Sequence, residues 1–265
     1  MDLELSGKRA LVTGSTLGIG CAIAEALLKE GAEVVINGRD DARVSKVMAE
    51  LASLGKVSGV TADLATAGGA KTLIKRSTEP EPIDILVNNA GYFDVMPFEE
   101  IDDAAWLDIF ETNVMSGVRL SRAMLPGMLE RNWGRMIFIG SDQSSKPNPA
   151  MAHYAMTKTA VVSIARSLAE QTKGTGVTVN TVQVAPTWTE GVEAFMKSMA
   201  EIKGITPEEM SKEYFATGEG NTSLLSRWAK PAEIADVVAF LCSPRAAAIN
   251  GSAPRADGGM VRSLF

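Results

Sequence analysis

The sequence predicts a parallel, doubly wound α/β sheet of about seven strands with helices on both faces. Three observations predict it. Short apolar runs rich in valine and isoleucine alternate with helix-period segments, six times between Arg9 and the region beyond Val182. Glycine or asparagine closes several of these runs, at Gly14, Gly38, Asn88 and Gly140. No linker, internal repeat or low-complexity segment divides the 265 residues, so residues 1–265 read as one domain, long enough to bury a full core.

Composition narrows the function classes. The net charge is -6 and the sequence pI is about 5.1, with no basic cluster, which argues against a nucleic-acid partner. Cys21 and Cys242 are isolated in apolar surroundings. They make neither a disulfide framework nor a metal site, and point to a reducing, cytoplasmic compartment. Met1 to Lys8 carries Asp2 and Glu4 and does not read as a signal peptide. No apolar run approaches ~18 residues, so no membrane span is expected. His153 is the single histidine, which argues against a multi-histidine metal site, and no metal is expected.

The elements follow in order. Arg9 to Thr13 is a buried strand, and Gly14, Gly18 and Gly20 follow it. Cys21 to Lys29 is a helix stopped at Gly31. Strand, glycine turn and helix N-terminus together make an anion site, because free backbone N–H groups and the helix dipole face a phosphate. Glu33 to Ile36 is the second strand, and Asn37, Gly38 and Arg39 form its tip. An acidic side chain at such a tip holds a ribose 2′-hydroxyl, whereas an arginine accommodates a 2′-phosphate. Arg39 therefore favours NADP(H) over NAD(H), although Asp40 and Asp41 follow at once.

Asp41 to Leu54 is a helix, Val57 to Thr61 a third strand, and Gly68 to Ser77 the next helix. Asp63, just past the strand, either accepts from an adenine amino group or caps that helix. Pro80 and Pro82 punctuate the loop before the fourth strand, Ile83 to Val87. Asn88, Asn89, Ala90 and Gly91 at its carboxyl end suit a ligand crevice.

Trp106 to Glu130 reads as one long helix with Asn113 inside its apolar stripe. That amide either is satisfied in the core or holds a structured water, since an unpaired one costs ~1–3 kcal/mol. Arg135 to Ile139 is the fifth strand and ends at Gly140 and Ser141. Ala150 to Lys173 is a helix carrying Tyr154 and Lys158 one turn apart on one face. An ammonium beside the phenol is expected to favour the phenolate and lower the tyrosine pKa. His153 points off that face and reads as structural.

Val177 to Val182 is the sixth strand. Residues 190–223, rich in methionine and aromatics and broken by Gly191, Gly204, Pro207 and Gly218, read as two short amphipathic helices. They form either a substrate lid or an ordinary packed pair. Pro231 to Leu241 is a helix, and Ser252 to Arg255 a short last strand.

The combination resembles the short-chain dehydrogenase/reductases of ordinary, short length. The resemblance covers essentially the whole chain. It rests on Thr13 to Gly20, Asp63 and Leu64, Asn88 to Gly91, Asn113, Ser141, Tyr154 with Lys158, Asn180 to Pro186, and Asp257 to Gly259. It implies a Rossmann-like fold and NAD(P)-dependent hydride transfer between a nicotinamide cofactor and a carbonyl or alcohol substrate. It also implies roles. Tyr154 is the general acid or base, Lys158 binds the nicotinamide ribose, Ser141 polarises the substrate oxygen, and Asn113 holds a water in a proton relay. Gly14, Ser15, Gly18 and Ile19 line the pyrophosphate. Asp63 and Leu64 meet adenine, and Asn89, Ala90 and Gly91 the adenosine ribose and nearby backbone. Many such proteins are homotetramers packed through their two long helices; a tetramer or dimer is expected here.

Four positions depart from the family pattern. Thr187 stands where glycine is usual, beside the nicotinamide amide, and Thr189 is still able to bond the nicotinamide carboxamide. Asp142 and Gln143 follow Ser141 where a small residue is common, and suit substrate hydroxyl or amine groups. Leu17 replaces a basic residue frequent in NADP-preferring members, which leaves the selectivity largely to Arg39. Two other functions compete with a carbonyl reductase or alcohol dehydrogenase. One is 3-oxoacyl-carrier-protein reduction, for which no strong basic docking patch is seen. The other is a non-catalytic nucleotide-sensing module, which usually loses the tyrosine or lysine.

Overall fold

The structure is a computed structural model that describes residues 2–79 and 81–264; Pro80 of the punctuated loop and Met1 of the N-terminal segment lie outside the described residues. The strands are β1 (Arg9–Val12), β2 (Glu33–Gly38), β3 (Val57–Thr61), β4 (Ile85–Asn88), β5 (Gly134–Ile139), β6 (Val177–Val184) and β7 (Arg255–Ala256). They pair in the order β3-β2-β1-β4-β5-β6-β7, every pair parallel. The chain reverses its direction of growth across the sheet at β1, between β2 and β4. In an open parallel sheet that point leaves a crevice beyond the strands' carboxyl ends.

Successive side chains of a strand face opposite layers. Ala10 and Val12 of β1, with Ile85 and Val87 of β4, enter one core, where they meet Ile23 and Leu27 of α1 (Gly18–Lys29) and Ile234 and Val238 of α9 (Pro231–Cys242). Leu11 and Leu86 enter the other, with Leu73 of α3 (Ala67–Thr78), Leu120 of α5 (Ser116–Glu130) and Val161 of α6 (Ala152–Glu170). The strands are apolar on both faces because both faces are covered. α2 (Asp41–Leu51) buries Val44 and Val47 against β2 and β3.

Several boundaries differ from the sequence reading. α1 opens at Gly18, three residues early, because Gly18 takes a φ of +53° that glycine alone adopts readily. The expected helix from Trp106 to Glu130 is three segments: α4 (Asp103–Phe110), a π turn (Glu111–Met115) and α5. The extra residue of a π turn lets an apolar stripe continue with no visible break, and such turns gather at functional sites. Asn113 sits in this one. β6 runs on to Val184, and β7 lies at Arg255–Ala256, later than expected, where it pairs with Gln183 and Val184. Thr187 bridges Ala229 and is absent from the left-handed backbone positions, so the residue there imposes no strain.

Residues 190–223 hold α7 (Glu190–Lys203) and α8 (Pro207–Ala216). Met196, Ala200 and Met210 are buried between them, with Trp188, Tyr214 and Trp228 around the edge. The methionine and aromatic stripe thus forms a small core for the pair.

Candidate active site

A cleft of about 730 Å³ runs across the carboxyl ends of the strands. One end is the glycine turn. Thr13 holds it to the end of β4, its hydroxyl accepting from the N–H groups of Asn89 and Ala90, both at 2.9 Å. The Asn89 side chain closes the brace by donating to the carbonyls of Thr13 at 2.8 Å and Gly14 at 3.1 Å. A Cβ at Gly20 would collide with that amide and meet the Gly14 carbonyl at 2.5 Å. The start of the helix can therefore pack against the turn and Asn89 only with glycine there.

The expected cofactor residues Gly14, Gly18, Ile19, Arg39, Asp63, Leu64, Asn89, Ala90, Gly91 and Thr189 all line this cleft, together with Tyr154 and Lys158. Ser15 does not. Its side chain is buried, donates to the Val12 carbonyl at 2.7 Å and accepts from the Asn37 amide at 2.9 Å. It ties the turn to β2 instead of facing a pyrophosphate. Asn89 spends its amide on the turn, so its side chain shapes the site from behind.

At the adenosine end, Gly38 leaves room for Thr16, whose methyl a Cβ would meet at 2.6 Å. Arg39 and Arg43 both line the cleft there. Asp40 accepts from the Arg43 backbone N–H at 2.7 Å as the cap of α2. Its carboxylate is thereby committed, and neither guanidinium forms an ion pair among the described residues. Among the described residues nothing occupies either guanidinium, and both can receive an anion. Sequence reasoning missed Arg43, although a second arginine in the first turn of the following helix was a usable signal.

At the other end, Tyr154 and Lys158 come together. Lys158 donates to the Ile139 carbonyl at 2.8 Å, and its ammonium lies 5.6 Å from the centre of the Tyr154 ring. The expected lowering of the tyrosine pKa is not met. Burial pushes the phenol up to about 12, and Asp142 adds to this, while the Ser141 hydroxyl works against it. Burial also brings the Lys158 ammonium down to about 8. Helical spacing places the two groups together, but loss of hydration dominates their titration.

Asn113 makes three hydrogen bonds. Its side chain accepts from the Tyr92 N–H at 2.9 Å and donates to the Tyr92 carbonyl at 2.8 Å and the Thr157 hydroxyl at 3.1 Å. The amide is thus hydrogen-bonded to protein through both its oxygen and its nitrogen. It clamps the segment after Gly91 to α6, one residue before Lys158. His153 is buried edge-on to Trp106, with ring centres 5.9 Å apart.

Ser141 caps the 3₁₀ turn Asp142–Ser144, accepting from the Gln143 N–H at 3.2 Å and donating to the Asp142 carboxylate at 3.0 Å. The Gln143 amide is spent on Asp142 and on the Asn148 N–H. These two side chains therefore hold one another and the serine, and are not the free handles expected. Phe93 packs edge-on to Tyr154 at 6.3 Å and to Phe195 of α7 at 5.8 Å, so α7 is joined to the tyrosine through one aromatic contact.

One contact was invisible in the sequence. Glu190, the first residue of α7, accepts from the Gly18 N–H at 3.1 Å. A carboxylate thus rests on the anion-binding end of α1. Replacing it is expected to strengthen dinucleotide binding. A hydrogen bond of this kind contributes about 0.5–1.5 kcal/mol, so Glu190→Ala should lower the NADPH dissociation constant about twofold to tenfold. Fluorescence titration of the variant against the parent checks this; an unchanged or weaker constant would count against the contact as a competitor.

A glycine turn at a helix N-terminus, two arginines without ion pairs among the described residues, and a neighbouring tyrosine and lysine in one cleft are the features of a dinucleotide-binding α/β protein. Comparison with known proteins gives the family. The family model for short chain dehydrogenase matches residues 8–200. "Uncharacterized oxidoreductase YvrD" of Bacillus subtilis is 48% identical over the full length of both chains. The 3-oxoacyl-[acyl-carrier-protein] reductase FabG of Vibrio cholerae is 36% identical, with 97% of this chain and 99% of that one covered. Among solved structures, L-sorbose reductase from Gluconobacter frateurii, complexed with NADPH and L-sorbose, superimposes over 100% of both chains with a TM-score of 0.93 at 33% identity. The chain belongs to the short-chain dehydrogenase family.

Proposed function

We propose that this protein is an NADP(H)-dependent oxidoreductase that interconverts a carbonyl and an alcohol, with Tyr154 as the proton-transfer group. The single observation behind it is that Tyr154 and Lys158 stand on the wall of the same cleft that carries the glycine turn at one end and Arg39 with Arg43 at the other. The cofactor fits this cleft on the chain's own evidence. Among the described residues neither guanidinium has an ion-pair partner where a 2′-phosphate would lie, Gly20 has no room for a Cβ where the helix meets the turn, and the Glu190 carboxylate occupies the Gly18 N–H.

Arg39 and Arg43 would hold the 2′-phosphate, the N–H groups of Gly18 and Ile19 the diphosphate, and Asp63 with Leu64 the adenine. Lys158 would hold the nicotinamide ribose, and Thr189 the carboxamide. When bound, the cofactor supplies the hydride. Tyr154 keeps its proton at ordinary pH, since burial holds its pKa near 12, so it is set to act as an acid towards a substrate oxygen. Ser141, whose hydroxyl reaches the Tyr154 phenol, would share that oxygen. Asn113 acts from behind, fixing the Tyr92 segment against α6.

The L-sorbose reductase likeness and the oxidoreductase relatives support this reading. The FabG relatives keep 3-oxoacyl-carrier reduction within the same chemistry, but no feature of the cleft favours an acyl carrier. The presence of both Tyr154 and Lys158 stands against a non-catalytic module. The α7–α8 pair, linked to Tyr154 through Phe195 and Phe93, is read as a lid over the substrate. Assembly as a dimer or tetramer through α5 and α6 is supported by the apolar groove of Pro147, Pro149, Met156 and Ala160 beside α6. Two separate free thiols favour the cytoplasm. Among the described residues, no helix is long and apolar enough to cross a membrane.

The test is a carbonyl-substrate screen that follows nicotinamide absorbance, with NADPH and NADH run in parallel. Oxidation of NADPH in preference to NADH is expected. Failure with both cofactors across ketoses, hydroxy ketones and aromatic ketones would overturn the reading.

A further inference from the structure

Ser141 has one proton to give, and Asp142 holds it. The Ser141 hydroxyl lies 3.0 Å from the Asp142 carboxylate and also accepts from the Gln143 N–H at 3.2 Å. An ionised carboxylate only accepts, so in that state the Asp142 contact takes the serine proton, in competition with the Tyr154 oxygen that Ser141 also reaches. What the hydroxyl then turns towards a substrate is a lone pair, which repels a carbonyl oxygen. A protonated Asp142 can donate to the serine oxygen instead. The serine proton is then released towards the substrate side, where Tyr154 lies.

We propose that Asp142 is a positioning residue that sets which way the Ser141 hydroxyl donates, and so gates how well Ser141 polarises a substrate carbonyl. The proposal rests on the reading of Ser141 and Tyr154 as a pair facing one substrate oxygen. It adds a residue outside the tyrosine, lysine and serine set. No bond between heavy atoms is made or broken in the gate; one proton is exchanged between Asp142 and solvent, and one hydroxyl rotates.

The surroundings place the switch within reach of ordinary pH. Asp142 is buried, and that burial raises its carboxyl to about 6, with Ser141 and Lys146 pulling down and Asp257 and Glu219 pushing up. Each neighbouring element contributes a group. Lys146 follows the same turn and is itself held by the Glu219 carbonyl at 2.9 Å and the Thr222 hydroxyl at 3.1 Å. Asp257, in the segment after β7, spends its oxygens on the Gly259 and Val261 amides. Tyr154 of α6 and Tyr214 of α8 both feel the Asp142 charge, and burial keeps both phenols neutral.

The sign follows. Below about pH 6 Asp142 is protonated and Ser141 is free to donate; above it the donation is lost. The experiment measures kcat/KM for NADPH-dependent carbonyl reduction against pH in the parent and in Asp142→Asn, whose amide is isosteric and can donate to the serine at every pH. The parent should fall about tenfold from pH 5 to pH 7, as the protonated fraction of a group near 6 does. The variant should stay within about twofold and keep the parent's acidic value. The same decrease in both proteins would overturn the proposal.

A second measurement needs no turnover. In protein labelled with carbon-13 at the aspartate carboxyls, the signal missing from Asp142→Asn identifies Asp142. Its midpoint should move upward in Ser141→Ala, because the hydrogen bond that stabilises the ionised form is gone. An unmoved midpoint would sink the gate whether or not a substrate has been found. An upward shift without any carbonyl reduction would uphold the serine–aspartate coupling and count against the proposed function instead.

Discussion

Tyr154→Phe should reduce turnover by about three orders of magnitude while leaving NADPH binding within about twofold, since general acid catalysis is worth about 10²–10⁴. The hydroxyl is the only group removed. The ring keeps its edge contact with Phe93 at 6.3 Å, and the Lys158 ammonium keeps its bond to the Ile139 carbonyl. The variant should therefore fold and bind, and lose only the proton. Single-turnover and steady-state rates measured beside a binding titration separate the two effects. Turnover above about a tenth of the parent's would remove Tyr154 from the chemistry.

The second large effect concerns cofactor choice. Arg39→Ala combined with Arg43→Ala should weaken NADPH binding about a hundredfold or more, with NADH nearly unchanged. Hydrogen bonds to a charged group contribute about 1.5–3 kcal/mol each, and 1.4 kcal/mol is tenfold. Each single variant should lose about tenfold or somewhat more on the same scale. The two side chains carry no ion pair among the described residues, so removing them strands no buried partner and the fold should stand. Equal losses for both cofactors would mean that the arginines act on the general field of the cleft and not on the extra phosphate.

The sheet was legible because parallel strands covered on both faces are written as unbroken apolar runs. Met136 to Ile139 and Ile85 to Val87 need no alternation to be seen, and they lie where expected. Most of the cleft was legible for a related reason, since its residues sit at strand ends in short local patterns. Tyr154 and Lys158 were readable as neighbours because one helical turn joins them.

What the sequence hid is non-local or electrostatic. Glu190 meets Gly18 across 172 residues, and no spacing rule spans that gap. Ser15 looked like a ligand residue from its place in the glycine turn; only the packing of Asn37 against β1 shows that it faces inward. The π turn at Glu111–Met115 adds a residue without breaking the apolar stripe, so one long helix was the natural reading. The pKa of Tyr154 was misjudged because spacing reports who stands beside the phenol and not how dry the site is. Asp142 and Gln143 looked like substrate handles until their mutual hydrogen bonds were visible.

The most direct measurement is a crystal structure of the full chain with NADP+ bound. The account predicts the 2′-phosphate between Arg39 and Arg43, the diphosphate on the Gly18 and Ile19 amides with Glu190 displaced, and the nicotinamide ring beside Tyr154 and Ser141. A dinucleotide seated elsewhere while Glu190 still rests on Gly18 would contradict it.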